Sequence, residues 1–331
     1  MNPNRNYSEF DNKSMDKIFV SDLTQNQELV TSFLVSRKEI KTKKNGGDYL
    51  LLKLGDKTGT ISAFLWENVE EFKDAFSEGD YIKVKAQVRE FGGNLQLTLF
   101  RIRRLEDSEV NAADYLPVSP HDPEEQFTAL MEFVEQMKNS DLRGLLERLF
   151  SNPALVERFK RAPAAKKLHH AWLGGLLDHT LSLVRLCILM AQHYPQLNAD
   201  LLVAGAVLHD IGKVEEYLYS RSIDSSDEGR LLGHIIMETT FVNQMINQME
   251  SFPQELRIQL LHLLISHHGK MEFGSPKEPM TPEALALHYL DDFDSKLQMM
   301  LTAMQEDQTG NSAWTPYLPA MERYVYRRRI E

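Results

Sequence analysis

Five of the eleven histidines in this chain lie with several aspartates in its second half, at or near the ends of predicted helices. The residues concerned are His179, His209, Asp210, His234, His267, His268 and Asp291. Taken singly, a histidine is usually an ordinary core or surface residue. His209 and Asp210 differ because they directly follow the apolar run from Leu201 to Leu208. Burying an imidazole and a carboxylate there is unfavourable unless they are paired or bound to a metal, and repetition of this arrangement along one domain is hard to explain by chance.

The ligand types restrict the metal. Imidazole and carboxylate without thiolate suit Mn, Fe, Mg or Zn rather than soft metals. The single cysteine, Cys187, excludes an internal disulfide and a zinc site built from four cysteines. Lys213 lies one turn after His209 and Asp210 and shares their side if the helix continues that far. We predict that it holds a substrate phosphate or a leaving oxygen, with a solvated lysine as the alternative.

The elements that carry these residues are helical. Apolar spacing predicts helices from Pro123 onward, with prolines between them or in their first turns. The predicted helices cover residues 123–138, 141–149, 153–161, 175–193, 199–209, 233–249, 254–267 and 282–305. The second half of the chain is therefore predicted to be an all-α domain, joined to the first half through a proline-containing linker at 114–123.

The first half has the period of two that is typical of half-buried strands. In Tyr81 to Arg89, for example, Ile82, Val84, Ala86 and Val88 face one side, and Tyr81 falls on the other. Similar segments near 29–38, 49–54, 60–66 and 94–99 make five predicted strands, with a short helix at 68–76. Five strands with a helix after the third are the element order of an OB-fold barrel, so we predict a small all-β domain here.

OB barrels bind single strands by stacking bases on aromatic rings and by placing cations along the phosphates. The face used is formed by the second and third strands and the adjacent loops. There the sequence places Tyr49, Lys53, Phe64 and Trp66, with Lys43 and Lys44 in the preceding loop. For Trp66 we favour packing beneath the following helix over base stacking. The lysines are equally compatible with solvated loop charges.

Length and composition fit this two-domain organisation. The chain has 331 residues and a formal charge of −11, so it would need a local basic patch or bound metal ions to hold nucleic acid. Neither a secretory signal nor a membrane-length apolar run is present in the sequence, which predicts a cytoplasmic protein without membrane contact.

The predicted regions are a disordered tail at 1–14, the barrel domain at 15–110, linker and helices at 111–160, the metal domain at 161–315 and a C-terminal tail at 316–331.

The spacing of these residues resembles a known superfamily. His179, His209-Asp210 and Asp291 are similar to the signature of the HD metal-dependent phosphohydrolases, and His234 with His267-His268 resembles the subgroup that holds two metal ions. The segments from His169 to Thr180 and from Ser266 to Pro276, together with the barrel, resemble the YhaM family of bacterial 3′–5′ exoribonucleases. The similarity covers roughly residues 17–315.

The resemblance implies a ligand set. His179, His209, Asp210 and Asp291 would bind the first metal, with Asp210 as the bridge, and His234 and His267 the second, with His267 favoured over His268. Asp291 is favoured over Asp292 by its place in the family pattern, and Asp292 and Asp294 are also compatible with exposed helix carboxylates. The family implies Mn²⁺, with Mg, Fe, Co or Zn as alternatives.

The implied activity is two-metal hydrolysis of single-stranded RNA from its 3′ end, with single-stranded DNA as a further substrate. Two alternatives remain open. One is a nucleotidase or phosphodiesterase acting on small nucleotides, for which the barrel would serve another purpose. The other is a nucleic-acid-binding accessory protein with an idle HD domain. Whether the protein forms a homo-oligomer is also open.

Overall fold

The structure is a computed structural model that describes residues 17–166, 171–219, 221–306 and 312–328. The predicted tail at 1–14 and the residues His169 and His170 lie outside these ranges. The chain forms two compact units: one comprises Met1–Pro117 with Ser220–Ser222, and the other comprises Val118–Tyr219 with Ile223–Glu331. The domain boundaries predicted above are not tested by this division. Among the described residues, no helix is both long and apolar enough to span a membrane.

The first unit contains a closed barrel of five strands in the order β1-β2-β3-β5-β4. The strands are β1 (Glu28–Thr42), β2 (Asp48–Asp56), β3 (Gly59–Leu65), β4 (Tyr81–Phe91) and β5 (Asn94–Arg104), with a short helix α1 (Val69–Phe72) after β3. Neighbouring strands are antiparallel except β3 and β5, which close the barrel in parallel. The alternating residues of β2 and β4 fill its interior, as predicted. The predicted OB-fold is confirmed.

Two details of the barrel differ from the prediction. β1 extends to Thr42, beyond the predicted strand at 29–38, so Lys41 lies on the strand opposite Tyr49. Tyr81, predicted on the outer side, is fully buried because its ring packs against Tyr115 at 4.5 Å between centroids. The segment after β5 covers that part of the outer barrel surface, and strand periodicity alone does not reveal such a cover.

The second unit is helical apart from a two-stranded sheet, β6 (Tyr217–Leu218) with β7 (Asp224–Ser225). Its helices are α2 (Pro123–Glu135), α3 (Ser140–Phe150), α4 (Pro153–Arg161), α5 (Gly175–His193), α6 (Ala199–Leu208), α7 (Lys213–Glu216), α8 (Asp227–Leu232), α9 (His234–Asn247), α10 (Gln254–Ser266) and α11 (Pro282–Glu306). Every predicted helix is present, and the short α7 and α8 are additional. The predicted all-α class of this domain is confirmed.

Helix α6 is the centre of the helical unit. Every residue from Leu201 to Leu208 is buried, and the helix packs against α3, α5, α10 and α11. Gly205 permits the close approach of α10, because a Cβ atom there would lie 2.6 Å from Leu263 Cδ2. The surrounding helices thus enclose the end of α6, where His209 caps the helix.

We expect Gly205→Val to lower the free energy of unfolding by about 1–3 kcal/mol, since the added methyl groups overpack the contact with Leu263. The matched control is Gly144→Val in α3, where a Cβ would meet only Met249 Cε at 3.9 Å. The control should stay within about 0.5 kcal/mol of the parent protein. Urea unfolding measures both. Equal losses in the two variants would contradict the close packing of α6.

Candidate metal centre and barrel surface

Four predicted ligands meet at the end of α6. His179 comes from α5, His209 and Asp210 follow α6, and Asp291 comes from α11. His179 Nε2 lies 3.2 Å from His209 Nε2 and 3.1 Å from Asp291 Oδ1. Asp210 Oδ2 lies 3.3 Å from His209 Nε2. The side chains of His179 and His209 are fully buried, so four groups able to bind a cation share one enclosed space.

A second group lies on the other side of Asp210. His234, His267 and His268 each offer a nitrogen, and these atoms all lie within 4.8 Å of one another. His234 is the first residue of α9, and His267 caps the end of α10. His234 Nε2 lies 3.5 Å from Asp210 Oδ1. The two oxygens of Asp210 therefore face different histidine groups, which is the geometry expected of a bridging carboxylate.

Backbone carbonyls set the tautomer of three histidines. Nδ1 of His209 donates to the Ala206 oxygen at 2.9 Å, and Nδ1 of His267 donates to the Leu264 oxygen at 2.7 Å. Nδ1 of His268 donates to the Phe273 oxygen at 2.9 Å. A carbonyl can only accept, so each Nδ1 carries the proton and each neutral ring keeps its lone pair on Nε2. All three rings are thereby prepared to bind a cation through Nε2.

Carboxylates orient the other two histidines. His179 Nδ1 lies 2.8 Å from Asp294 Oδ2, and Asp294 in turn accepts from Ser182 Oγ at 2.5 Å. His234 Nδ1 lies 3.0 Å from Glu216 Oε2. Histidines that bind metals usually donate their other ring nitrogen to such a partner, which fixes the ring and raises its basicity.

Sequence reasoning missed three of these supporting residues. The Asp294 side chain is 13% exposed and supports His179, whereas that of Asp292 is 42% exposed and pairs with Lys296. Helical spacing could have separated the two, since Asp294 lies one turn after Asp291 and Asp292 does not. Ser182 is likewise one turn after His179. No feature of the sequence indicated Glu216, because its contact with His234 arises from the packing of α7 against α9.

Three buried atoms in the centre have no hydrogen-bond partner among the described residues: Asp210 Oδ1, His234 Nε2 and His267 Nε2. Buried polar atoms are normally hydrogen-bonded, so unsatisfied atoms this close together need an explanation. Nitrogen and oxygen donors in this combination suit a divalent cation. The residues present therefore fit the metal-binding role predicted for them.

The pKa shifts follow from burial and from mutual contact. Burial alone would lower the pKa of His179, but hydrogen bonds with Asp291 and Asp294 raise it to about 10. Burial acts against the charged form of Asp291 too, yet contact with His179 holds the pKa of Asp291 well below its usual range. The pKa of His267 is lowered by burial. A bound cation requires neutral imidazoles, so it would displace a proton from His179.

Lys213 is buried, and its Nζ lies 2.7 Å from Asp210 Oδ2. Burial would lower the pKa of Lys213, but Asp210 raises it above its ordinary value, and the lysine is charged. Charged Lys213 also holds the pKa of Asp210 well below its usual value, against the effect of burial. The structure therefore places Lys213 against Asp210, and its predicted contact with substrate stays a prediction.

The barrel places three predicted aromatics in a ladder on its outer surface. The rings of Tyr49 and Trp66 stack at 4.7 Å between centroids, and those of Phe64 and Trp66 stack at 5.4 Å and 4° between planes. Trp66 is 40% exposed, so our preference for packing beneath the following helix was wrong. Trp66 follows directly after β3, so its ring lies beside Phe64, two residues earlier on that strand, and over Tyr49 on the adjacent β2.

The three lysines predicted to lie around this ladder differ in their environments. Lys53 is exposed on β2 opposite Ser62 of β3. Lys43 donates from Nζ to the Trp66 carbonyl at 2.5 Å, and Lys44 is exposed in the loop after β1. Beside Trp66, a groove of about 900 Å³ continues towards β5 and is lined by Phe100 and Arg101 among others. Phe100, an exposed aromatic, was not identified from the sequence.

Two family models match the chain, one in each half. Residues 34–105 match the model described as "OB-fold nucleic acid binding domain", and residues 176–296 match the model described as "HD domain". The chain is therefore an HD-domain protein with an N-terminal OB-fold. An HD domain also implies dependence on a divalent metal, which the His and Asp clusters can hold.

Curated relatives specify the family. A Bacillus subtilis (strain 168) protein named "3′-5′ exoribonuclease YhaM" is 35% identical over 285 residues, covering 86% of this chain and 90% of the relative. A Listeria monocytogenes serotype 4b (strain F2365) protein of the same name is 33% identical and covers 86% of this chain and 90% of the relative. The chain belongs to the YhaM family of 3′–5′ exoribonucleases.

Solved structures add a distant likeness. The second OB-fold domain of replication protein A from Methanococcus maripaludis is 25% identical, covers 27% of this chain and 95% of that chain, and has a TM-score of 0.23. The score is too low to support the fold, which rests on the strand pairing and the matched family model.

We expect Asp294→Asn to weaken Mn²⁺ binding about 10–100-fold, because an amide cannot support the His179 ring as the carboxylate does. Asp292→Asn is the matched control on the same helix, since its side chain pairs with the exposed Lys296. Calorimetric titration with Mn²⁺ measures both affinities. Equal affinity in the two variants would show that the contact of Asp294 with His179 does not support a metal site.

Proposed function

We propose that the protein is a metal-dependent 3′–5′ exoribonuclease that hydrolyses single-stranded RNA. The observation that carries the proposal is the Asp210 carboxylate, whose two oxygens face separate groups of histidines. Two adjacent cation sites are what two-metal phosphodiester hydrolysis requires. Membership of the YhaM family and an OB-fold barrel support a polymeric RNA substrate.

We assign the predicted ligands to two metal sites. His179, His209, Asp210 and Asp291 would hold the first, and His234, His267 and Asp210 the second. His267 is favoured over His268 because its Nε2 is buried without a hydrogen-bond partner among the described residues. We propose Mn²⁺ as the ion, while the same donors also suit Mg, Fe, Co and Zn. When bound, the ions activate water and stabilise the leaving oxygen of a phosphodiester.

The protein's own groups keep the ligands in the required form. Lys213 pairs with Asp210 at 2.7 Å and keeps that carboxylate ionised. Asp294 and Glu216 hold the rings of His179 and His234 from outside the centre. We also propose that Lys213 compensates negative charge on the substrate, because it is the buried cation next to Asp210.

The barrel would bind the RNA strand. Tyr49, Phe64 and Trp66 present a stacking surface, and Lys43, Lys44 and Lys53 supply positive charge around it. Stacking accepts any base and does not require the 2′-hydroxyl, so we propose that single-stranded DNA also binds this face. Because cellular RNA is the proposed substrate, we place the protein in the cytoplasm.

The first test uses single-stranded RNA labelled at its 5′ end, the purified protein and Mn²⁺. We expect a ladder of products shortened from the 3′ end, abolished by EDTA. Asp210→Ala should abolish it too, since that change removes the carboxylate between the two histidine groups. Asp292→Ala, with an exposed carboxylate on α11, should retain full activity. Intact RNA with release of phosphate from mononucleotides would instead establish a nucleotidase.

The second test concerns the barrel. We expect Trp66→Ala to weaken binding of single-stranded RNA by about 1–3 kcal/mol, the value of one stacked base. Tyr194→Ala removes an aromatic that is 51% exposed at the end of α5, and it should leave the affinity unchanged. Fluorescence anisotropy with EDTA present measures binding without cleavage. An unchanged affinity in Trp66→Ala would exclude the ladder as the binding surface.

A further inference from the structure

The segment between α10 and α11 is a firmly anchored turn beside the metal centre. Ser275 Oγ donates to the Ile265 oxygen at 2.9 Å and is nearly fully buried. Ser275 N donates to the Lys270 oxygen at 3.1 Å, and Phe273 N donates to the same oxygen at 3.0 Å. These bonds close residues 270–275 into one turn and define the path of its backbone.

A second anchor joins this turn to α11. His288 Nδ1 donates to the His267 oxygen at 2.7 Å. Gly269 has a φ of +79°, and a Cβ atom there would lie 2.2 Å from the His288 ring. The helix that carries Asp291 is therefore packed directly against the start of the turn. Movement of the turn relative to the metal ligands is correspondingly restricted.

The turn exposes an aromatic residue whose backbone carbonyl contacts a histidine of the centre. Phe273 is 61% exposed, while its carbonyl accepts from His268 Nδ1 at 2.9 Å. Lys270 Nζ lies 5.6 Å from the centre of the Phe273 ring. Single exposed apolar residues are common on protein surfaces and need no explanation. Phe273 is distinguished by its place in the chain, since its backbone carbonyl binds His268, and by the Lys270 amine over its ring.

Lys270 is available to a phosphate. Its amine lies 3.3 Å from Glu272 Oε1, and both side chains are more than half exposed. Such surface pairs contribute little stability, so a phosphate can replace the carboxylate at low cost. Proteins bind single strands with aromatic rings that stack bases and with cations that contact phosphates, and Phe273 and Lys270 supply one of each.

We infer that Phe273 and Lys270 form the subsite for the 3′-terminal nucleotide, with the base stacked on Phe273 and a backbone phosphate next to Lys270. This inference rests on the proposed exoribonuclease function and specifies what the rim of its centre recognises. It predicts that the terminal base contributes to the rate through Phe273, independently of the barrel.

The test follows the logic of a double-mutant cycle: the Phe273 side chain and the 3′-terminal base are removed singly and then together. The substrates are a single-stranded RNA and the same RNA with an abasic 3′-terminal nucleotide, cleaved with Mn²⁺. Phe273→Ala should lower kcat/KM about 5- to 150-fold on the normal RNA, the range expected for one lost stack. The abasic RNA should lower kcat/KM of the parent protein by a similar factor, and Phe273→Ala should cause no further loss on it.

Two further variants control the cycle. Phe273→Tyr keeps a stacking ring and should restore the preference for the normal terminus. Met280→Ala removes a side chain that is 76% exposed elsewhere in the segment, and it should behave like the parent protein on both substrates. If Phe273→Ala and the abasic terminus instead have independent, multiplicative effects, the stacking inference is overturned.

Lys270 has a separate readout. Lys270→Gln should reduce the slope of log kcat/KM against log salt concentration by about 0.7, the value for one phosphate contact on a single strand. An unchanged slope would remove Lys270 from the subsite. Failure of the proposed function is distinguishable from both results, because the parent protein would then leave the normal RNA intact.

Discussion

The Asp210 carboxylate lies between two groups of histidines, with one oxygen directed towards each. It occupies the end of a helix whose residues from Leu201 to Leu208 are all buried. A carboxylate in such surroundings must be compensated by charge, and Lys213 with the histidines supplies part of that compensation. The remaining unsatisfied atoms then define where a cation is stabilised. The positions of the surrounding helices all serve to bring ligands to this one group.

The ligands are held by contacts directed away from the centre. Three histidines are fixed through backbone carbonyls at helix ends or in turns, and two are fixed through carboxylates. Because these bonds exist within the fold itself, the rings need little rearrangement to accept a cation. Preorganisation of this kind keeps the reorganisation cost of binding low, and supporting residues commonly affect affinity as strongly as 10–100-fold.

An acidic chain can still act on a polyanion when the interactions are local. With a formal charge of −11, bulk attraction to RNA is unfavourable. The barrel instead presents an aromatic ladder, and stacking of bases on such a surface does not depend on net charge. In the helical unit, the bound cations and Lys270 would supply positive charge where a phosphate must lie. Under the proposed function, affinity would therefore come from a few defined contacts in each unit.

The sequence by itself determined the fold class and the chemistry of the centre. Alternation along β4 predicted the barrel, and the apolar run before His209 and Asp210 predicted a buried site that needs a cation. Resemblance to the HD and YhaM families supplied the ligand set, and the structure brings all of those residues together. These features are local in the chain or depend only on residue type, so they can be recognised without coordinates.

Only the tertiary structure decided which residues support the ligands and which surfaces are exposed. Asp294 supports His179 across a separation of 115 residues, and Glu216 supports His234 through the packing of short helices. Tyr81 is buried because a later segment covers the barrel, whereas Trp66 stacks on the outer surface and stays 40% exposed. Each of these outcomes depends on contacts between segments distant in the chain. Periodicity reports which face of one element is apolar, but not what another element places against it.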